Sequence, residues 1–203
     1  MIRFVPVLAL LAVLGLAPAH AADPQAVAPI EALNQSLLDV MHAGQSTPFD
    51  QRYATLAPVI ENTFDLNAIL QTSVGPRWQS YSPAQQQQLR DDFTRFTVTS
   101  YVANFSSFSG ERFEISPDTR AIGNEQVVET KIIQASGDAA RIDYVMRPGP
   151  SGWRVVDVLL DGSISRVAVQ RSDFRSLIAG GPEPLIQSLE RKNADLSGHA
   201  SAR

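Results

Sequence analysis

Three consecutive strand-like runs between Gln126 and Leu160 constrain the fold more than any other part of the chain, because apolar and charged side chains alternate along them. Successive side chains of a strand point to opposite faces of a sheet. The residues that share the apolar side are Val128, Ile132, Ile142, Tyr144, Met146, Val156, Val158 and Leu160. The residues that share the charged side are Glu129, Lys131, Arg141, Asp143 and Asp157. The pattern predicts an antiparallel sheet with one packed face and one solvated face.

The first half of the chain has the spacing of helices. Asp23-Pro24 and Ser82-Pro83-Ala84-Gln85 are helix-start signals, and the second has the form of a capping box. Helices are predicted at about 24–41, 48–62, 66–75 and 83–108, and strands at about 111–117, 125–134, 139–147 and 153–160. We expect an extended segment through 164–169, then helices at about 172–179 and 182–192.

Helices followed by a meander of strands indicate an α+β fold, in which helices cover one face of a curved antiparallel sheet. The predicted organisation is a cleaved signal peptide at 1–21, one domain at 22–195 and a flexible tail at 196–203. The signal peptide has a short basic start with Arg3, an apolar run, and the small-residue cleavage pattern Ala19-His20-Ala21. These features predict export to the periplasm.

Composition excludes several classes of function. The net charge of −4 argues against nucleic acid as a partner. The chain has no Cys and 3 His, so it can form no disulfide, and it offers too few ligands for a typical zinc site. We find no G-x-S-x-G, no phosphate-binding glycine loop and no H-E-x-x-H. We therefore predict no catalytic residues and no metal or cofactor.

Asp157 is the one carboxylate that interrupts an apolar strand, and it has two interpretations. It points outward and pairs with Arg154, Arg166 or Arg171, or it is a buried general base with a raised pKa. In the second case Tyr101 or Tyr144 would donate to an oxyanion, and the protein would be a small isomerase or hydratase.

An aromatic stripe follows the predicted fourth helix. Its members, together with Leu89, are Phe93, Phe96, Tyr101, Phe105 and Phe108. Such a stripe is typical of core packing. Large rings facing smaller branched residues on a sheet can also leave a gap between the two layers. Periodicity leaves both interpretations open.

Weak motifs occur in a fixed order along the chain: Phe64-Asp65, Gly75-Pro76-Arg77-Trp78, Tyr81 to Gln85, Trp153 to Val158, Asp161 to Ser165, Arg171 to Phe174, and Gly180-Gly181. Together they resemble the MlaC-type family of periplasmic phospholipid-binding, toluene-tolerance or ABC-transporter auxiliary proteins. The stretch 167–174 looks closer to the hopanoid-associated HpnM subgroup. Many family members carry Tyr where this chain has Gln170.

The resemblance implies a soluble periplasmic lipid carrier with an NTF2-like sheet and an apolar pocket. Phospholipid or hopanoid would be its cargo, with an inner-membrane lipid transporter complex and an outer-membrane or membrane-embedded protein as its partners. The predicted lipid-binding residues are Phe93, Phe96, Tyr101, Phe105, Val128, Ile132, Tyr144, Met146, Val156 and Val158. A transporter adaptor that binds no lipid is a further alternative.

Overall fold

The computed structural model describes residues 23–201 of the chain, and the predicted signal peptide lies outside them. The elements in chain order are α1 (Pro24–Ala43), α2 (Phe49–Thr63), α3 (Leu66–Val74), a 3₁₀ helix (Gly75–Ser80), α4 (Pro83–Asn104), β1 (Arg112–Ile122), β2 (Glu125–Ile133), β3 (Ala139–Gly149), β4 (Gly152–Leu160), β5 (Ile164–Ser165), α5 (Arg166–Leu177) and α6 (Glu183–Ser201). Within this described part, no helix is long and apolar enough to cross a bilayer.

The strands form one sheet in the order β1-β2-β3-β4-β5, with antiparallel pairing between all neighbours. The chain therefore meanders from one edge of the sheet to the other. The sheet is curved and does not close into a barrel. This arrangement confirms the predicted α+β class.

The helix starts follow from local side-chain chemistry. Asp23 accepts a hydrogen bond from the Gln25 amide at 2.9 Å. Ser82 and Gln85 form the predicted capping box, since each side chain accepts from the backbone amide of the other. These bonds satisfy amides that the first turn of a helix leaves without partners.

The C-terminal third departs from the prediction. The segment 164–169 is not an extended strand, because β5 has only two residues and α5 begins at Arg166. Ser165 caps this helix by accepting from the Ala168 amide at 2.9 Å. We also expected the last helix to end near Lys192, but α6 continues to Ser201. Asn193 is buried and donates to the Asp92 carbonyl at 3.2 Å, which holds this part of α6 against α4.

The core lies between the helices and one face of the sheet, called the inner face here. From α1 come Ile30, Leu33 and Leu37, all fully buried, and α1 contacts β1, β2 and β4. The outer face carries the charged residues, as predicted. There Arg141 bridges Asp143 at 2.7 Å and Glu129 at 3.0 Å.

Candidate functional site

A group of apolar side chains on the inner face contacts the core yet remains partly open to solvent. We call this group the inner-face cleft: Tyr101, Phe105, Phe113, Ile115, Ile142, Tyr144 and Val158. All are half-buried except Tyr144, which is 3% exposed. The cleft is therefore an apolar surface that the protein's own helices leave incompletely covered.

Strand register brings the sheet residues of the cleft together. Tyr144 pairs with Val128 on β2 and with Val158 on β4. Two residues along the strands, Ile142 pairs with Thr130 and Leu160. Directly opposed residues of neighbouring strands project from the same face. The period-two pattern of the sequence thus becomes a continuous apolar surface.

A chain of aromatic contacts joins the end of α4 to the sheet. The ring centroids of Phe64 lie 5.7 Å from Tyr101 and 6.4 Å from Tyr144. The Tyr101 ring stacks on Phe105 at 5.8 Å, and Phe105 lies 6.2 Å from Phe113 on β1. Neither Phe64 nor Phe113 is among the lining residues predicted from the sequence. The alternation along β1 could have identified Phe113, which pairs with Ile132.

The structure brings most of the predicted lining residues to the inner face. Val128, Tyr144 and Met146 are buried there, and Ile132 is half-buried beside Phe113.

Phe93 and Phe96 have different surroundings on α4 from those of Tyr101 and Phe105. Phe93 is buried in the core. Phe96 is about 140° around the helix from Tyr101, because five residues turn an α-helix through that angle. Lys192 of α6 lies over its ring, with Nζ 5.4 Å from the centroid.

Val156 lines a pocket other than the inner-face cleft. The strand register shifts between Val145 and Met146, so Met146 pairs with Val155 instead of Val156. Val156 contributes to a pocket of about 210 Å³ at the β3–β4 hairpin, with Asp65, Arg147 and Arg154 among the other walls. This volume is below the roughly 300 Å³ at which small-molecule pockets usually begin.

The two tyrosines of the cleft keep their protons. Burial raises the pKa of Tyr144, and burial also raises the pKa of Tyr101 well above its ordinary value. The neighbouring Tyr144 adds to the rise at Tyr101, whereas the charge of Arg166 opposes it. Both hydroxyls therefore remain neutral hydrogen-bond donors at physiological pH.

Asp157 faces outward, as the first interpretation predicted, but its hydrogen-bond partners differ from the predicted arginines. Its carboxylate accepts hydrogen bonds from the Val167 amide at 3.1 Å, from the Ser165 hydroxyl and from its own strand at the Val158 amide. Among the described residues it has no arginine partner. It pairs with Val145, which places it on the sheet face opposite Tyr144. It therefore helps to begin α5, and it lies on the wrong face to act with Tyr144 as an acid–base pair.

Residues 23–201 contain no group of three His, Asp or Glu side chains that could hold a metal ion. His42 is exposed, and its ring lies 3.9 Å from that of Phe108, which is itself 41% exposed. The described residues that line the cleft supply apolar contacts and two hydroxyl donors.

The chain has relatives at the level of family and of fold. The structure of a phospholipid-binding protein from Ralstonia solanacearum, solved in complex with a phospholipid, matches with a TM-score of 0.73 and 22% sequence identity. The match covers 85% of this chain and 98% of that chain. A search of curated proteins gave no match. The family model described as MlaC protein matches residues 31–191, so the chain belongs to the MlaC family, as its motifs predicted.

Proposed function

We propose that this protein is a periplasmic lipid carrier that holds acyl tails in the inner-face cleft and exchanges the lipid with membrane transporter components. Membership of the MlaC family supports lipid binding and transport. The similar fold of the Ralstonia phospholipid-binding protein supports the same class of ligand. The predicted signal peptide supports the compartment.

Transfer free energies explain why such a carrier is needed. Two tails of about 16 carbons hide roughly 30 methylenes, which corresponds to about 25 kcal/mol of gross transfer free energy from water. Free diffusion of the monomer through water is therefore negligible. A protein surface that matches the bilayer to within a few kcal/mol can accept the lipid, and a partner can then shift the balance.

The proposal rests on one observation: the helices do not completely cover the apolar inner face of the sheet. Apolar side chains such as Phe113, Ile142 and Val158 contact the core but remain partly exposed. Hydrocarbon placed against them would remove this surface from water. A mostly apolar surface with a few polar groups is the usual composition of a small-molecule site.

The tails would contact a subset of the residues predicted from sequence. We propose Tyr101, Phe105, Val128, Ile132, Tyr144, Met146 and Val158 as tail-contacting residues. Phe93, Phe96 and Val156 remain predicted lining residues from the sequence, and this set omits them because Phe96 contacts Lys192, Val156 lines the β3–β4 hairpin pocket and Phe93 makes no ring contact with the cleft aromatics.

Native mass spectrometry of protein purified from a bacterial periplasm tests the proposal directly. We expect a bound lipid that can be extracted into organic solvent and identified. A clean apo mass, with nothing extractable, would contradict lipid carriage.

A paired substitution tests where the lipid binds. Val158→Trp places an indole in the cleft and is expected to remove most of the bound lipid. Val169→Trp is the matched control, because Val169 is exposed on α5 at 36%. Thermal unfolding of both variants checks that they fold. Equal lipid content in the two variants would place the tails outside the cleft.

The same variants test the proposed exchange partners. Binding to an inner-membrane transporter complex and to an outer-membrane or membrane-embedded protein uses the outside of the molecule. Val158→Trp should therefore keep partner binding in a pull-down while it loses lipid transfer. If transfer persists without bound lipid, the adaptor alternative is correct.

A further inference from the structure

Two hydroxyl groups in the inner-face cleft lack a protein partner. Neither Tyr101 nor Tyr144 makes a side-chain hydrogen bond to any residue of the described part. Tyr144 is 3% exposed as a residue, but its hydroxyl oxygen is not completely buried. The Tyr144 residue is therefore almost entirely enclosed, while its hydroxyl oxygen has no protein partner and is not completely sealed from solvent.

Other polar side chains of the same face are satisfied. The Thr130 hydroxyl donates to the carbonyl of Ile142, and the Thr119 hydroxyl donates to the Gln126 side chain at 2.8 Å. A polar group that leaves water without a new partner costs free energy. The Tyr101 and Tyr144 hydroxyls have no such protein partner, so a lipid that covers the cleft and excludes water from it would have to supply their hydrogen-bond acceptors.

We propose that the Tyr144 and Tyr101 hydroxyls donate hydrogen bonds to the ester carbonyls of a bound glycerolipid. The inference rests on the proposed function and adds the groups that select the chemical class of the lipid. Ester carbonyls lie between the acyl tails and the head group. They are therefore the acceptors that a hydroxyl at the boundary of an apolar surface can meet.

Arg166 supports this orientation of the lipid. It is exposed, and it has neither a hydrogen bond nor an ion pair within the described residues. It directly follows β5, whose Ser165 pairs with Leu159 of β4, and its charge acts on the Tyr101 hydroxyl. In a glycerophospholipid the phosphate is a few bonds from the ester carbonyls, so a free cation on this side of the cleft is well placed for it.

The proposed hydrogen bonds distinguish between phospholipid and hopanoid, the two candidate lipids that the sequence left open. A fused-ring hopanoid skeleton has no ester carbonyl to accept from the two tyrosines. A diacyl glycerolipid can satisfy both hydroxyls. The two hydroxyls thus favour an ester-linked lipid over a bare hopanoid skeleton, a distinction that the apolar residues do not make.

The test compares two lipids that differ only at the ester. Delipidated protein is offered an equimolar mixture of phosphatidylglycerol with two palmitoyl esters and its diether counterpart with hexadecyl chains. Native mass spectrometry then gives the ratio of bound diester to bound diether. We expect wild-type protein to favour the diester by roughly two- to tenfold per hydroxyl engaged, which is the range for one net hydrogen bond.

Tyr101→Phe and Tyr144→Phe, singly and together, remove the hydroxyls and keep the rings. The preference should fall with each substitution and disappear in the double variant, while diether binding stays unchanged. Tyr81→Phe is the matched control, because Tyr81 is buried at 7% exposure and its hydroxyl also lacks a partner, but it contacts Trp78 outside the cleft. This control should keep the full preference.

The failures can be told apart. Equal loading of diester and diether by wild-type protein would overturn the ester inference and leave lipid carriage intact. A preference for the diester that survives in the double variant would also overturn the ester inference, because groups other than the two tyrosine hydroxyls would then recognise the ester. Failure to load either lipid would overturn the proposed function itself.

Discussion

A single buried arginine fixes the end of the helix that carries the cleft aromatics. Arg52 is 1% exposed, and burial lowers its pKa. Its Nε donates to the Thr47 carbonyl at 3.1 Å, and its Nη1 donates to the Val102 carbonyl at 3.2 Å. Val102 lies in the last turn of α4, where unpaired carbonyls concentrate negative charge. Tyr101 and Phe105 flank this point, so Arg52 holds one wall of the cleft.

Replacing Arg52 tests this role. Arg52→Met keeps an apolar stem but leaves two carbonyls without donors, and we expect the free energy of unfolding to fall by about 2–4 kcal/mol. Urea unfolding measures the change. Arg175→Met is the control, since Arg175 is exposed and forms no ion pair in the described part. Unchanged or higher stability would mean that desolvation of the guanidinium outweighs its hydrogen bonds.

At the scale of elements, hydrogen bonds hold α4 and α6 together, but the same contact brings carboxylates close to one another. Gln85 donates to Glu183 at 2.7 Å, and Asn193 donates to the Asp92 carbonyl at 3.2 Å. The Asp92 side chain, however, has one carboxylate oxygen buried without a partner. Burial raises the pKa of Asp92, and the neighbouring carboxylates Glu190 and Asp91 raise it further.

The raised pKa gives a pH prediction with a definite sign. An acid whose pKa is higher in the folded state destabilises the fold when it is ionised, so the penalty is present at neutral pH and vanishes below the unfolded pKa. Asp92→Asn should therefore raise the melting temperature at pH 7, and the gain should shrink toward pH 4. Asp91→Asn is the exposed control and should have a smaller effect. An Asp92→Asn gain that does not vary with pH would contradict the electrostatic explanation.

At the scale of the whole molecule, the cleft leaves apolar surface that a bound lipid would cover. A ligand that binds the folded state alone stabilises it by about 2.7 kcal/mol at a free concentration one hundred times its dissociation constant. Delipidated protein should therefore melt at a lower temperature than protein purified with lipid, and adding lipid should restore the difference. Equal melting temperatures in calorimetry would contradict lipid binding by the folded protein.

The sequence by itself determined the α+β class, most helix and strand bounds and the inward-facing residues of β2 and β3. This information is local: the alternation around Val128 and Tyr144 and the capping residues at Asp23 and Ser82 act within a few positions of the chain. Motif order also identified the family. Where local signals compete with distant contacts, the prediction failed. Asp157 and Ser165 begin α5 inside a segment with a strand-like pattern, and Asn193 holds α6 past its expected end.

Only the tertiary structure decided which predicted lining residues meet. The α4 aromatics share a stripe in sequence, yet Tyr101 and Phe105 reach the sheet while Phe96 lies against α6. Helical rotation sets the angle between them, but the neighbours on each side come from elements far along the chain. The unpaired state of the Tyr101 and Tyr144 hydroxyls has the same origin, because a hydrogen-bond partner is a position in space and no spacing along the sequence specifies it.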